Sequence, residues 1–203
     1  MELDHIAVSG ETLEEAAAAV EEALGVPMLP GGQHDVFITH NRLLGLEDGL
    51  YLEAIAADPT RPAPDRPRWF DLDSFKGPAR LTNWICRCDD LDALLAALPV
   101  DAGAPVSLTR GDLRWRMAVP ADGKLPFDNL FPPLIQWHCD IHPASVLPSS
   151  GCRLTRLVVA HPEAMALRDV LAAHLADARV VFEPGAAALS AEFDTPHGRR
   201  VLR

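Results

Sequence analysis

Two residues in short apolar segments carry side chains that bind metals or move protons. His5 lies in "LDHIAVS" and Glu53 lies in "YLEAI". Alternation along a strand places His5 on the face of Leu3 and Ala7, and it places Glu53 on the face opposite Leu52. If the two strands pair, an imidazole and a carboxylate share one concave face. This arrangement predicts either a metal-binding pair or a hydrogen-bonded pair.

Four further polar residues are candidates for the same hollow. His34 follows two glycines in "GGQHDVF", where a loop can carry it to the rim, although an exposed loop histidine is the alternative. Asn41 in "THNRLL" is expected to contact a ligand or to make a structural hydrogen bond. Arg114 and Arg116 in "RGDLRWRM" share one strand face. They could clamp a carboxylate or phosphate, or they could form a solvated edge of the sheet.

The elements that position these residues repeat along the chain. Three segments show a short strand, a turn and an Ala/Leu-rich helix: "LDHIAVSGETLEEAAAAVEEAL", "LTNWICRCDDLDALLAAL" and "LTRLVVAHPEAMALRDVLAAHL". Thr12 and Glu15 form a capping-box pattern in the first segment, and Pro162 suits the first turn of a helix in the third. Each copy is therefore predicted to begin with a strand followed by a helix.

Strand-like segments punctuated by turns follow the first two helices. Gly31 and Gly32 interrupt the chain, and Asp48-Gly49 and Asp122-Gly123 are turn signals between apolar runs. The first two copies therefore predict βαβββ units. The third copy is shorter, with "ARVVFE" and "ALSAEFDT" as strands and "TPHGRR" as a terminal turn.

The predicted fold class is α+β, in which tandem βαβββ modules form a cup-shaped mixed sheet with a partial third module at the C-terminus. The predicted segments are module 1 at residues 1–58, a linker at 59–79, module 2 at 80–143 and the partial module at 153–203. Four prolines between 59 and 67 exclude a regular helix or central strand from the linker. One helical turn is expected there, between Trp69 and Phe75.

Composition excludes several classes of function. The chain has 18 Lys and Arg against 29 Asp and Glu, a formal charge of -11, and no basic run, so we expect no nucleic-acid partner. It has no apolar run of about 18 to 20 residues, so we expect no membrane span. The acidic N-terminus does not resemble a signal peptide, which favours a soluble cytoplasmic protein. The four cysteines form no metal-knuckle spacing and are predicted to be reduced thiols.

Several strings resemble the vicinal oxygen chelate superfamily and, within it, the glyoxalase-like domain proteins. They are "LDHIAV", "GGQH", "THNRLL", "YLEAI", "RWRM" with "ADG", and "PPLIQWHCDIHP". The resemblance implies that two units pair edge to edge into a cup that holds one divalent ion. The ligands come from the first and last strand of each unit. A homodimer is a further expectation from the habits of the superfamily.

The resemblance assigns the ligand positions to His5 and Glu53 in the first unit and to Asn83 and Gln136 in the second. Amide oxygens are weak donors, so an ion such as Zn, Ni, Fe or Mn would be weakly held by His5 and Glu53. Gln136 has no protonation step near neutral pH and cannot act as a general base. The sequence therefore does not predict the glyoxalase reaction itself.

Two functions remain open from the sequence. The first is a metal-dependent lyase, isomerase or dioxygenase that acts on a small compound with vicinal oxygens. The second is a metal-free module that binds or sequesters a small molecule in the same cup, with Asn83 and Gln136 fixing its orientation.

Three other sets of residues have structural predictions. His138, Cys139 and His142 are interpreted as a turn, because Pro143 disrupts the helical spacing that a zinc site would need. Trp137 is predicted to belong to the core. In the third copy, Arg156 falls at the position of His5 and Glu192 falls near that of Glu53. They predict an ion pair in a segment that braces the assembly or forms an interface, with ordinary surface charges as the alternative.

Overall fold

The chain folds into an eight-stranded and a four-stranded sheet in the computed structural model, which describes all residues from Met1 to Arg203. The large sheet contains β1 (Glu2–Ser9), β2 (Leu29–His34), β3 (Thr39–Gly45), β4 (Tyr51–Ala57), β5 (Arg80–Arg87), β6 (Ala104–Arg110), β7 (Leu113–Val119) and β8 (Leu134–Trp137). The small sheet contains β9 (Arg153–His161), β10 (Val180–Pro184), β11 (Ala188–Thr195) and β12 (Gly198–Leu202). The helices are α1 (Leu13–Leu24), α2 (Leu91–Ala97), α3 (Pro143–Val146) and α4 (Ala164–Leu171). The predicted fold class is confirmed.

The large sheet has the internal symmetry that the sequence repeat predicts. Its strand order is β2-β3-β4-β1-β5-β8-β7-β6, so the two units meet where β1 pairs with β5 in antiparallel orientation. The closing strand of each unit runs parallel to the first strand of that unit, β4 beside β1 and β8 beside β5. The outer edges of the curled sheet approach each other, because β2 lies close to β6. Its concave side is called the cup below.

Helix α1 covers the convex side of the large sheet. The predicted capping box is present, since the Thr12 hydroxyl accepts from the Glu15 N–H and the Glu15 carboxylate accepts from the Thr12 N–H, both at 3.2 Å. The helix ends at Gly25, whose φ of 74° is the left-handed conformation that glycine adopts readily. Its apolar stripe packs into the main core, while a second apolar cluster of 12 buried residues lines the cup. The cup is therefore the face of the sheet without helices.

The proline-rich linker returns over the mouth of the cup. It contains a short 3-10 turn at Trp69–Asp71, within the region where a helical turn was expected. Trp69, Phe70 and Leu72 are all buried in the apolar cluster of the cup. Trp69 stacks on Phe37 with 4.4 Å between ring centroids. The segment Trp69–Leu72, called the cover below, closes the hollow that the two modules form.

The third copy forms the small sheet, and its predicted ion pair is present. Arg156 contacts Glu192 at 3.2 Å and Glu183 at 2.6 Å. Two local predictions are wrong. The terminal segment continues past its turn as strand β12, because it completes an antiparallel hairpin with β11. The Gly31-Gly32 pair does not interrupt the chain, since β2 runs through it with a register shift against β3.

Two further features of the chain are its cysteines and the length of its helices. All four cysteines are free thiols, as predicted. None of the helices has the length and apolar character needed to cross a bilayer.

Candidate functional site

His5 and Glu53 lie in one buried cavity inside the cup. They come from the adjacent parallel strands β1 and β4, where Ala7 is the register partner of Glu53. His5 Nε2 lies 3.7 Å from Glu53 Oε2, and the two residues are 4% and 5% exposed. The His5 ring also stacks on Tyr51 with 4.3 Å between centroids. The structure therefore brings these two residues together, while their binding of a metal stays a prediction.

Asp4 is a buried carboxylate that orients His5, and the sequence analysis did not identify it. Asp4 accepts from His5 Nδ1 at 2.6 Å, from His142 Nε2 at 2.9 Å and from Trp137 Nε1 at 3.0 Å. Burial by itself would raise the pKa of Asp4, but the hydrogen bonds from His142 and His5 outweigh it and hold that pKa well below 3.8. Because Asp4 is ionised, it takes the Nδ1–H of His5. The other ring nitrogen, Nε2, faces Glu53.

A β-bulge explains why Asp4 and His5 can act together. The pairing of β1 with β5 shifts register between Leu3 and His5, so Asp4 is the extra residue. Strict alternation would have sent Asp4 to the opposite face from His5. The sequence carries no distinct signal for the bulge.

Asn41 connects Glu53 to the opposite edge of the cup. Its Nδ2 donates to Glu53 Oε1 at 2.5 Å, and its Oδ1 accepts from the Gly32 N–H at 2.7 Å. The same Oδ1 accepts from Arg110 Nη1 at 3.2 Å. Asn41 therefore holds Glu53 through one oxygen, Oε1. No hydrogen bond is made to the second oxygen, Oε2, which faces His5.

Arg110 places a guanidinium in the cup, and His34 is buried beside it. Arg110 Nη1 donates to His34 Nε2 at 3.2 Å, so His34 must donate from Nδ1 to Thr39 Oγ1 at 2.9 Å. Burial and the charge of Arg110 lower the pKa of His34 to about 3, so the ring is neutral near pH 7. Arg110 forms no ion pair with any carboxylate of the chain. It is a half-buried cation with free donors, and sequence reasoning selected Arg114 and Arg116 instead.

The glycines before His34 allow this approach of the two edges. A Cβ on Gly31 would lie 2.1 Å from Asn41 Oδ1, and a Cβ on Gly32 would lie 2.6 Å from Arg110 Cδ. A side chain at position 31 would also collide with the Asn41 backbone, and one at position 32 would force Arg110 to shift. The glycine pair therefore keeps the contacts between β2, Asn41 and Arg110 short.

The second module and the cover supply a mostly apolar wall. Trp115, Met117, Ile135 and Trp137 line the cavity from β7 and β8, and Trp69 and Phe70 line it from the cover. The enclosed volume is only about 30 Å³. That is room for about one water molecule.

Comparison with known proteins places this arrangement in a family. Residues 3–175 match the model of the family described as glyoxalase-like domain. The chain belongs to this family. No match to a curated protein was found. The predicted membership of the glyoxalase-like group is confirmed.

Several solved structures are similar to this glyoxalase-like chain at low sequence identity. A hypothetical protein from Staphylococcus aureus is 14% identical with a TM-score of 0.59, covering 84% of this chain and 73% of the other. Methylmalonyl-CoA epimerase from Mycobacterium tuberculosis is 18% identical with a TM-score of 0.43, covering 66% and 85%. A Mn(II)-bound glyoxalase from Novosphingobium aromaticivorans is 12% identical with a TM-score of 0.49, covering 98% and 80%.

Three of the predicted site residues lie outside the cup of this glyoxalase-like domain. Gln136 donates to the Asp89 carbonyl at 2.5 Å and accepts from the Leu91 N–H at 3.4 Å, on the side covered by α2. Arg116 pairs with Asp92 on the same side at 2.8 Å. The prediction that these residues face the hollow is wrong. Side chains alternate between the two faces in β7 and β8. Trp115, next to Arg116, and Trp137, next to Gln136, therefore point into the cup instead.

Arg114, the other arginine of the predicted clamp, also lies outside the cup. Arg114 is exposed and donates to the carbonyls of Gly111 and Leu113 at 2.5 and 2.8 Å. The predicted clamp of Arg114 with Arg116 is therefore wrong. Trp137 packs against the apolar cluster of the cup, in line with its predicted place in the core, and it also lines the cavity and donates to Asp4.

Asn83 faces the concave side but does not line the cavity. It lies opposite Ala7 in the pairing of β5 with β1 and is fully buried. Neither its Oδ1 nor its Nδ2 has a hydrogen-bond partner. An unpaired buried amide is unusual in a folded protein.

The donor set of the cup fits a divalent ion poorly. Only His5 and Glu53 of the family ligand positions enter the cavity, and the chain contains no group of three or more His, Cys, Asp or Glu side chains placed to hold an ion. At the fourth of these positions Gln136 points out of the cup, and its apolar neighbours Ile135 and Trp137 line the cavity instead. A cation in the cup would also be repelled by Arg110.

Proposed function

We propose that this glyoxalase-like domain binds a small organic anion with vicinal oxygens in its cup, without a resident metal ion. Arg110 carries the proposal, because its guanidinium enters the cavity and has no carboxylate partner in the chain. A guanidinium removed from water requires an anionic or hydrogen-bonding partner, and a carboxylate matches its geometry. A 2-oxo acid such as pyruvate has both the carboxylate and the vicinal oxygen.

The electrostatics of the cup support an anion more than a cation. Asp4 is engaged by three donors, and Glu53 is held by Asn41. Arg110 is the one arginine or lysine that lines the cavity, and its partners, His34 and Asn41, carry no negative charge. A bound carboxylate would supply the missing counter-charge.

Binding to Arg110 is tested by isothermal titration of pyruvate in a carboxylate-free buffer. Arg110→Gln is expected to weaken binding by about tenfold to a hundredfold, since a hydrogen bond to a charged group contributes about 1.5 to 3 kcal/mol. Arg114→Gln is the matched control, because Arg114 is exposed and contacts only backbone carbonyls. Equal affinity of the wild type and Arg110→Gln would contradict the proposal.

Metal independence requires a separate measurement on tag-free protein. Elemental analysis is expected to find less than stoichiometric metal, and pyruvate affinity is expected to be the same with EDTA and with added Mn²⁺ or Zn²⁺. Stoichiometric metal that is lost in His5→Ala would instead support the metal-dependent lyase, isomerase or dioxygenase.

A second candidate is catalysis of proton transfer, an isomerase or lyase type of reaction. It is favoured by one observation: Asp4 fixes His5 with Nε2 facing Glu53 Oε2, an oxygen without a hydrogen-bond donor. Glu53 can take a proton from the carbon beside the carbonyl of a 2-oxo acid. The electron pair moves to the carbonyl oxygen, and Arg110 stabilises the negative charge. Return of the proton restores the ligand.

This reaction is measured as exchange of the methyl protons of pyruvate in D₂O by nuclear magnetic resonance. Glu53→Gln is expected to abolish enzyme-dependent exchange while it retains pyruvate binding, because Gln keeps the shape and the contact with Asn41. Exchange at the wild-type rate in Glu53→Gln would contradict a role as base. Binding without exchange in the wild type would leave the metal-free binding module as the function.

A further inference from the structure

A second, larger hollow lies beside the cup, and one residue lines both. A groove of about 580 Å³ runs between the cover, β5, the loop before β8 and the third copy. Its lining includes Phe75, Leu81, Leu130, Ala188, Leu189 and Arg203. Phe70 is the only residue that lines both the groove and the cavity of the cup. Displacing Phe70 would therefore enlarge the space on both sides of it.

The cup as it stands is too small for the anion that the proposed function requires. A volume of about 30 Å³ admits about one water molecule but not a 2-oxo acid. Either Phe70 or Trp69 must move for such a ligand to reach Arg110. Trp69 is held by stacking on Phe37 on one side and on Phe70 on the other, whereas Phe70 borders the open groove.

The backbone at Phe70 is held in an unfavourable conformation. Phe70 has φ 62° and ψ 18°, and Asp71 has φ 55°, both in the left-handed region that bulky residues rarely adopt. Asn129, itself at φ 69°, secures this turn by donating to the Phe70 carbonyl at 3.1 Å. Strain of this kind lowers the free-energy cost of displacing Phe70. The conformation therefore fits a partition that opens.

An unpaired polar group follows the groove along β5. Asn83 comes directly after the groove residues Leu81 and Thr82, and its buried amide has no partner. The groove also receives a wall from residues 187–190 and Arg203, which lie beyond the part of the chain that matches the family model.

We infer that the groove binds the apolar body of the anion whose carboxylate Arg110 holds, and that Phe70 swings aside to admit it. The ligand class is then a 2-oxo acid with an unbranched apolar chain. This inference rests on the proposed function. The apolar side chains Phe75, Leu81 and Leu130 supply the surface for the chain. The third copy completes the binding site rather than serving only as a brace.

The test is titration of a homologous series: pyruvate, 2-oxobutanoate, 2-oxohexanoate and 2-oxooctanoate. The wild type is expected to bind each homologue about fourfold more tightly per added methylene, the factor expected for a buried CH₂ group. Phe70→Ala is expected to strengthen binding of every acid in the series, because Phe70 has to move before any of them reaches Arg110, and to strengthen binding of the two long acids the most. Leu72→Ala controls for lost packing in the cover, because Leu72 is buried there but lines neither hollow.

A second pair of variants blocks the groove from the third copy. Ala188→Trp fills the groove at an exposed position at the start of β11, and Ala186→Trp places the same side chain two residues earlier, outside the groove. Ala188→Trp is expected to remove the dependence on chain length without affecting pyruvate, and Ala186→Trp is expected to change neither.

The outcomes separate this inference from the proposed function. Binding that is independent of chain length in the wild type and in Phe70→Ala, but is still lost in Arg110→Gln, would overturn the groove alone. An unchanged chain-length dependence in Ala188→Trp would also overturn it. Failure of every acid to bind would overturn both proposals.

Discussion

The two modules of the cup share one topology but contribute opposite chemistry. The first module supplies His5, His34, Asn41 and Glu53, of which Asn41 and Glu53 are hydrogen-bonded to each other. The second supplies chiefly aromatic and aliphatic side chains, with Arg110 as its one charged group in the cavity. The two copies of one scaffold therefore differ in role: the first module is the polar half of the cup, and the second is the covering half.

The division has a physical advantage for a polar site. Apolar walls exclude water and lower the local dielectric constant, which strengthens every hydrogen bond and charge interaction inside. The same environment makes an unpaired polar group costly. Of the groups near the cup, Asp4, His34 and Asn41 of the first module all make hydrogen bonds, whereas the second module leaves Arg110 without a counter-charge and Asn83 without partners. The difference indicates that the groups a bound ligand would satisfy belong to the second module.

The largest expected effect comes from breaking the polar half at its centre. Asp4→Ala leaves three buried or partly buried donors without an acceptor, those of His5, Trp137 and His142. Removing one partner from a buried charged network costs about 3 to 5 kcal/mol, so the free energy of unfolding should fall by that amount in urea titration. Asp92→Ala, which breaks the exposed pair with Arg116, should cost less than about 1 kcal/mol. A similar loss in both variants would contradict the contrast.

The contribution of Asp4 also has a defined dependence on pH. Its folded-state pKa lies below its ordinary value of 3.8, so the unfolded chain binds the proton more readily. The stabilisation is therefore present above about pH 4 to 5 and is lost as the pH falls toward the folded-state pKa. Asp4→Ala should lose this acid-side slope of stability against pH. A slope unchanged from the wild type would contradict it.

The second largest expected effect is a pH dependence of stability that arises from His34 in the polar half. Its pKa is lowered from 6.5 to about 3, so the folded protein resists protonation where the unfolded chain accepts a proton. Stability should therefore decrease as the pH falls below 6.5, by about 1.4 kcal/mol per unit or roughly 2 kcal/mol by pH 5. The measurement is urea unfolding at pH 7 and pH 5 for the wild type and His34→Gln. Equal pH dependence in the two proteins would show that His34 is not the source.

The polar half of the cup was largely accessible from the sequence because its side chains follow strand alternation. His5, Asn41 and Glu53 sit at regular positions in apolar strands, and the Gly31-Gly32 pair marks the close approach beside His34. Repetition of the strand and helix pattern was sufficient to predict two paired modules. Local periodicity and repetition thus carry the fold and half of the site.

The rest of the site could not be predicted from the sequence in the same way. In β8, Gln136 and Trp137 are equally compatible with either face, and the family pattern favoured the wrong one. Asp4 depends on a bulge, and Arg110 reaches the cup only because β6 curls toward β2. Register, bulges and sheet curvature arise from long-range pairing. A single sequence does not encode them in a local pattern.

A third effect tests the unsatisfied half and has the opposite sign. Asn83→Leu replaces a buried amide whose two polar atoms have no partners. Leaving such groups unpaired costs about 1 to 3 kcal/mol, so the variant should unfold at a free energy higher by about 1 kcal/mol after repacking losses. Thermal and urea unfolding of the wild type, Asn83→Leu and Asn83→Asp provide the test. The last variant should be destabilised because it buries a charge, and a loss of stability in Asn83→Leu would indicate that the amide is satisfied.

The smallest expected effect distinguishes the family ligand position from the residues that occupy the cup. Gln136 bonds only the backbone at the start of α2 and lies outside the cavity, so Gln136→Ala should change pyruvate affinity by less than about twofold and stability by about 1 kcal/mol or less. Trp137→Phe, at the next residue, removes the indole N–H that donates to Asp4 while keeping an aromatic wall. It should weaken pyruvate binding several-fold, because Asp4 would then hold His5 less firmly. A larger loss of binding in Gln136→Ala than in Trp137→Phe would return the ligand position to Gln136 and break the division between a polar and a covering half.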